Sequence, residues 1–334
     1  MKTLFSILIG IIGFSTYASS KKQESKELSI LFIGNSYTFY NDMPFILKKI
    51  ALSTGKEIFV DTVVEGGKNL DYHCNQELTF KTINARKWDF VVIQGHSNEF
   101  AQPESKVNKT TYPFAKQLVD SIRANNECSQ ILLYLTWGYK YGNHKWKPIA
   151  HYDSMQSRIE NQYLRFADLL NTRVSPVGIV WKDIRENHPY INLYDADDHH
   201  PSLNGSYLAA CTFYTSIFGE SAYKNTIEIN IPVEERNSIE LAAAKIVLNN
   251  LPKWRFTLRK DPEPAFDIIL QDKDLTIINN AKNASSFEWE FGDGDKSFDK
   301  NPIHKYLETG SYTITQRLIG KCKNFTLSRK INIR

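Results

Sequence analysis

Apolar residues along the first two thirds of the chain fall into short, nearly unbroken runs separated by stretches with helical spacing. The runs are LSILFIG (28–34), IFVDTVV (58–64), WDFVVIQG (88–95), QILLYLTW (130–137) and VSPVGIVW (174–181). Between them, apolar positions recur every three or four residues over 42–54, 69–86, 111–124 and 152–170. The same spacing returns over 203–218, with Gly219 as a C-terminal stop, and over 233–249. Strands that are apolar on both faces and separated by helices predict a parallel sheet covered by helices on both sides. The pattern breaks at PKWRFTLRKDPEPAF (252–266), which is rich in proline and charge and has the character of a linker. Beyond it, FDIILQ, LTIINN, SSFEWEFGDG, GSYTITQRLIG and FTLSRKINIR alternate apolar and polar positions between tight turns, which predicts a small β-sandwich.

Composition adds little to this picture and charge removes one option. A chain of 334 residues suits one large or two medium domains. The 41 basic and 37 acidic side chains leave a net +4 with no polybasic run, so no nucleic-acid partner is expected. The N-terminus has its own character. Lys2, the apolar run Leu4 to Phe14 and the small-residue stretch Thr16-Tyr17-Ala18-Ser19 read as a secretory signal peptide over 1–18. The run is shorter than the roughly 20 residues a membrane span needs. The mature chain is therefore expected to carry no integral membrane segment and to be periplasmic, at the cell surface or secreted. Four cysteines, Cys74, Cys128, Cys211 and Cys322, form no CxxC pair, so no zinc site is expected. Export permits a disulfide, whose pairing the spacing leaves open, and buried free thiols are the other reading. No cofactor and no metal are expected.

Ligands of open parallel α/β sheets bind at the carboxyl ends of the strands. The loops there are GNS (34–36), EGGKN (65–69), QGHSNE (94–99) and TWGYKYGNHKW (136–146), and DADDHHPS (195–202) precedes a helix. Together they hold the parts of an acyl-transfer site. A serine hydroxyl needs a base, usually a histidine oriented by a carboxylate. Asp197 lies three residues before His200, so a tight turn can bring its carboxylate to one imidazole nitrogen and leave the other for Ser36. The oxyanion needs donors aimed at it in advance. Gly67 can present a backbone N–H and Asn98 a side-chain amide. Taken alone, Gly-Asn-Ser after a strand is an ordinary turn, and Asp-Ala-Asp-Asp-His-His an ordinary solvated loop or a divalent-metal site.

The combination resembles the SGNH, or GDSL-like, hydrolase family over about residues 28–220. The matching residues are Gly34-Asn35-Ser36, Gly67, Asn98 and Asp197-x-x-His200, and the DxxHPS run followed by a helix is the most specific part. The resemblance implies a flavodoxin-like three-layer sandwich, a Ser36–His200–Asp197 triad and oxyanion donors at Gly67 and Asn98. The third block departs from the family's G-x-N-D. It reads Gly95-His96-Ser97-Asn98-Glu99, one residue longer, and Gln94 at the strand tip can stand in for Asn98; in the second block either Gly66 or Gly67 fits. Trp137 and Tyr139, with Tyr141 and Trp146, follow the fourth strand at the same edge. They suit the apolar faces of sugar rings, or else pack over the sheet, and His96 is a further candidate substrate contact or a local hydrogen-bonding residue. Esterases of this type often deacetylate polysaccharides, so an acetylated glycan is the substrate the resemblance implies. A non-catalytic glycan-binding protein and a lipase or thioesterase are the rival readings on the same scaffold.

Residues 287–315 resemble the PKD domain, an immunoglobulin-like sandwich of exported bacterial proteins. The matching residues are Trp289, Phe291-Gly292-Asp293-Gly294, Asn301-Pro302, His304, Tyr306, Gly310 and Tyr312. Such domains serve as spacers or interaction modules. Asp293, Asp295 and Asp299 read as a solvated turn, with calcium as the alternative. The expected organisation is a signal peptide (1–18), an SGNH-hydrolase-like domain (28–250), a linker (251–266) and a PKD-like domain (267–334).

Overall fold

The computed structural model describes residues 27–256, 262–284, 286–319, 322 and 324–334. They form two compact units that divide between Arg259 and Lys260. The expected signal peptide and residues 257–261 of the expected linker lie outside the described residues. Among those described, no helix is long and apolar enough to cross a membrane.

The N-terminal unit is built on five parallel strands: β1 (Leu28–Gly34), β2 (Ile58–Val64), β3 (Phe90–Ile93), β4 (Gln130–Tyr134) and β5 (Arg173–Ser175). Their order is β2-β1-β3-β4-β5. Ile30 to Ile33 of β1 pair with β2 on one side and β3 on the other and are wholly buried. This explains their unbroken apolar character, since a strand covered on both faces has no polar side. The chain leaves β1 toward β2 and then returns past it to β3. The direction of winding therefore reverses beside β1, and a crevice opens at its carboxyl end.

Helices cover both faces. Met43–Ser53, Leu203–Phe218 and Val233–Leu248 pack together, with Leu203–Phe218 buried from Gly205 through Ser216. Its lack of a polar face fits its central place in that layer. Leu70–Cys74, Glu77–Ala85, Tyr112–Asn125 and Tyr152–Leu170 form the other group. Cys74 and Cys211 are buried free thiols.

The fifth expected strand is corrected. Only Arg173–Ser175 is strand, and VGIVWKDIREN (177–187) is a helix. Pro176 ends the strand because it has no N–H to donate, and it is the N-cap of the helix that follows. Val177, Gly178, Val180, Trp181 and Ile184 are the buried residues of that helix, at helical rather than alternating spacing. The stretch 69–86 is likewise two helices, broken at Asn75-Gln76.

The C-terminal unit has a three-stranded sheet and a four-stranded sheet. In chain order the strands are β6 (Phe266–Gln271), β7 (Asp274–Asn279), β8 (Phe287–Glu290), β9 (Lys296–Ser297), β10 (Ile303–Lys305), β11 (Gly310–Ile319) and β12 (Asn324–Ile333). The sheets run β10-β7-β6 and β12-β11-β8-β9 and share one core. Phe266, Leu275 and Ile277 come from the first sheet, and Trp289, Ile314 and Ile333 from the second. Phe291 and Tyr306 join them, and Tyr306 Oη donates to Phe291 O at 2.9 Å.

Candidate active site

β1 ends at Gly34, and the chain passes through Asn35 into a single helical turn, Ser36–Phe39. Asn35 caps that turn by accepting from Tyr37 N–H at 3.2 Å, and its Nδ2 donates to Lys68 O at 2.9 Å. The second bond ties this loop to the one after β2. There Lys68 N–H bonds Glu65 O, closing a four-residue turn whose third residue, Gly67, has φ of 68°. A left-handed residue in that position is what glycine supplies at little cost. Gly34 O accepts from His73 Nε2 at 2.8 Å. His73 is buried, which lowers its pKa, and nothing in its sequence neighbourhood marked it.

From the β3 side, buried Gln94 holds the same peptide. Its Oε1 accepts from Asn35 N–H at 2.7 Å and from Thr38 Oγ1 at 3.0 Å, while Nε2 donates to Gly95 O at 2.7 Å. Ser36 therefore stands on a turn pinned by both neighbouring strands, 8% exposed.

Residues 194–201 approach from the other side as a closed loop. Tyr194 pairs with Pro201, and Asp195 N–H bonds His200 O at 2.9 Å. Ser202 then caps the helix Leu203–Phe218 by accepting from Gly205 N–H. Inside the loop, Asp197 Oδ1 accepts the N–H groups of His199 and His200 at 3.0 and 2.9 Å. Asp197 Oδ2 lies 2.5 Å from His200 Nδ1, and His200 Nε2 lies 2.8 Å from Ser36 Oγ. Partial burial works against the Asp197 charge. The hydrogen bonds from His200 and His199 outweigh it and bring the carboxyl down to about 2. An ionised Asp197 can only accept, so Nδ1 of His200 carries the proton and its unprotonated Nε2 faces Ser36.

Aromatic rings hold this base in place. Tyr40 stacks on His200 with centroids 4.3 Å apart, and Tyr37 meets it edge-on at 5.7 Å. Asn41 Nδ2 donates to Pro201 O at 3.1 Å and to Ser206 Oγ at 3.0 Å, linking the serine turn to the histidine loop.

A cavity of about 130 Å³ opens at Ser36, lined by Asn35, Tyr37, Gly67, His96, Ser97, Tyr139, His199 and His200. Ser36, Gly67, His96, Tyr139 and His200 of the sequence candidates thus come together, with Asp197 directly behind His200. Among the described residues, neither Ser36 N–H nor Gly67 N–H has a backbone or side-chain acceptor.

Three candidates sit elsewhere. Trp137 is fully buried and stacks between Tyr37 at 4.5 Å and Trp181 at 3.9 Å, with its Nε1 donating to His199 O at 3.0 Å. It packs under the site and does not line the cavity. Gln94 is occupied by the bonds to Asn35, Thr38 and Gly95. Asn98 lies in a short helix, Ser97–Phe100. Its Oδ1 accepts from Asn143 Nδ2 at 3.3 Å, and it lines a neighbouring cavity of about 150 Å³ with His96, Glu99, Gln102, Lys106 and Thr110.

Among the described residues, two groups have cation-ligating atoms within 4.8 Å of one another: Asp197, His199 and His200, and in the other unit Asp293, Asp295 and His304. In the first, Asp197 and His200 are already committed to the bonds just described. In the second, His304 Nε2 bonds Asp293 Oδ2 at 2.6 Å and stacks on Phe291, while Asp299 Oδ2 accepts from Ser297. Asp299 is not part of that group.

Residues 272–321 match the family profile of the PKD domain. Among solved structures, the chain is similar to a DUF4886 family protein from Bacteroides uniformis, with 19% identity and a TM-score of 0.57, over 66% of this chain and 95% of that one. It is also similar to a proposed SGNH hydrolase from Slackia heliotrinireducens, with 28% identity and a TM-score of 0.47, over 57% of this chain and 99% of that one. A third is the acetyl xylan esterase AlAXEase, with 14% identity and a TM-score of 0.46, over 57% of this chain and 100% of that one. The chain thus couples an α/β unit with the fold of the Bacteroides uniformis protein, and SGNH hydrolases among its structural neighbours, to a PKD domain.

Proposed function

We propose that the N-terminal unit is an exported serine esterase of the SGNH type that removes short acyl groups, acetyl above all, from a carbohydrate. One observation carries this reading: Ser36 Oγ, His200 Nε2 and Asp197 Oδ2 form a continuous chain of 2.8 and 2.5 Å contacts at the mouth of a small cavity.

The steps follow from the geometry. His200 Nε2 takes the Ser36 proton as Oγ attacks the ester carbonyl. Asp197, kept ionised, holds the Nδ1–H tautomer and stabilises the imidazolium. The N–H groups of Ser36 and Gly67 face the oxyanion. His200 passes its proton to the departing alcohol. A water deprotonated by the same nitrogen then releases the acyl group as a carboxylic acid, and Ser36 regains its proton.

Cavity size favours a short acyl group. Pockets for drug-sized ligands run from about 300 Å³ upward, and about 130 Å³ is well below that. A long fatty acyl chain, as a lipase needs, has no room in it. Beside it, a second groove is lined by His96, Asn98, Glu99, Gln102, Lys106 and Thr110, whose hydrogen-bonding side chains suit a hydroxyl-rich leaving group. Tyr139 on the cavity wall offers a face to a sugar ring. The PKD domain is read as a spacer or interaction module.

The test is hydrolysis of p-nitrophenyl acetate, butyrate and octanoate, and acetate release from acetylated polysaccharides, by the full chain and by Ser36→Ala. The expected result is a rate falling steeply with acyl length, acetate released from at least one glycan, and no activity in the variant. Equal rates in wild type and Ser36→Ala would remove the triad. A preference for octanoate would replace the acetylesterase by the lipase reading.

A further inference from the structure

The loop after β3 brings neither Asn98 nor Gln94 to the cavity, so two backbone N–H groups are all that the described residues offer the oxyanion from the candidates considered so far. A third group does line that cavity: the imidazole of His96. We propose that His96 is the third oxyanion donor, acting through Nε2–H as a neutral imidazole; this rests on the esterase reading above.

The argument starts from its other nitrogen. His96 is the N-cap of the helix Ser97–Phe100, and its Nδ1 accepts Asn98 N–H at 3.2 Å. A nitrogen that accepts a hydrogen bond carries no proton, so the ring proton sits on Nε2. The capping box is completed by Glu99, whose Oε2 accepts His96 N–H at 3.3 Å. His96 is therefore held at both backbone and ring, and its tautomer is set by the helix it caps. Among the described residues, Nε2 has no hydrogen-bond partner, in a wall shared with Ser36 and Gly67. Burial disfavours the imidazolium, and the neighbouring His199 and His200 rings add to this, so its pKa lies below the usual histidine value. A neutral donor suits the task, because it can strengthen its bond as the carbonyl oxygen gains charge while leaving the proton on His200 in place.

The extra residue in QGHSNE then has a meaning. It starts the short helix one position after His96, turns the Asn98 side chain to Asn143 and the polar groove, and leaves an imidazole where the family pattern has an amide. His96 also borders the second cavity, so the competing role is contact with the leaving alcohol. The two roles separate kinetically. An oxyanion donor acts on kcat, whereas a ground-state contact acts on KM.

Three proteins decide it on p-nitrophenyl acetate: wild type, His96→Ala and His96→Gln, with thermal melts alongside. His96→Ala should lower kcat by about 10²–10³-fold with KM changed less than about threefold, and His96→Gln should restore at least about tenfold through its amide. If His96→Ala keeps kcat within about threefold, or raises KM alone, or if Gln restores nothing in a variant that melts with wild type, the proposal is overturned. Because loss of the cap can unfold the loop, a second measurement uses wild type alone. ¹⁵N NMR of the boronate adduct at Ser36 should show His96 neutral with its proton on Nε2, and that proton should move downfield when the adduct forms. An adduct that leaves the His96 signals unmoved also overturns it. A wild type with no esterase activity and no Ser36 adduct fails the esterase reading instead, so the two failures are distinct.

Discussion

Replacing Gly34 by alanine is the sharpest perturbation of the serine turn. A Cβ at position 34 would lie 2.5 Å from Gln94 Oε1, 2.7 Å from Thr38 Oγ1 and 3.0 Å from Gln94 Cβ. The first two contacts are far inside van der Waals distance, so something must move. Gln94 is the end of a flexible side chain, but it is buried and its Oε1 already accepts from Asn35 N–H and Thr38 Oγ1. Swinging it away leaves those two donors without an acceptor in a dry site, at about 1–3 kcal/mol each. The expected loss of stability is therefore about 2–6 kcal/mol. The alternative is a shift of the turn itself, and a displacement near 1 Å at a nucleophile costs about 10² in rate. Urea unfolding followed by tryptophan fluorescence, together with p-nitrophenyl acetate kinetics, measures both. A double-mutant cycle with Gln94→Gly tests the cause. If the clash with Gln94 is responsible, the double variant should be more stable than the summed single losses by at least about 1 kcal/mol. The reasoning fails if Gly34→Ala unfolds within about 0.5 kcal/mol of wild type with its rate within twofold, or if the two costs simply add.

The other predictions concern ionisation. Asp197→Asn should lower kcat by up to about 10⁴-fold while the fold is kept, because the amide cannot hold the Nδ1–H tautomer; a loss under tenfold would separate Asp197 from the mechanism. With Asp197 down at about 2, it stays ionised above pH 4, so it should add no second ionisation to the acid limb of log kcat/KM above that pH, and a limb that steepens to a slope of two there would refute this. Glu99 is pushed up to about 7 by burial, against hydrogen bonds from His96 and Thr111 that act the other way. Its folded form keeps a proton that the unfolded chain releases near 4.5, so its contribution to stability falls as pH rises from about 4.5 through 7 and is flat outside that window. Glu99→Gln should remove up to about 3 kcal/mol of stability difference between pH 4 and pH 8; an unchanged difference would show that Glu99 titrates normally.

The parallel sheet and the strand ends that border the candidate site were legible in the sequence because buried strands read as apolar runs and the residues after them are chemically conspicuous. Ser36, Asp197 and His200 lie in local patterns whose spacing already constrains them. The fifth strand misled because VSPVGIVW is apolar enough for either period, and only Pro176 and the spacing of Val177, Val180, Trp181 and Ile184 separate strand from helix. Trp137 misled for another reason. β4 ends at Tyr134, yet the chain runs on inside the protein, so a ring expected at the sheet edge is sealed between Tyr37 and Trp181. His73 was invisible because its partner, Gly34 O, is a backbone atom 39 residues away. Gln94 was visible but misplaced: its amide looks outward in the sequence and is used inward, to hold the peptide that carries Ser36.

The Asn41 bonds to Pro201 and Ser206 make the serine turn and the histidine loop one mechanical piece, although Ser36 and His200 are 164 residues apart. Closing so long a loop costs only modestly more entropy than closing one half its length. What the junction demands is that the first strand and the helix Leu203–Phe218 be in place together, since the serine turn follows the one and the histidine loop leads into the other. On the proposed esterase reading, catalytic competence is thereby a property of the finished N-terminal unit, and a chain folded through β4 alone has Ser36 and not His200.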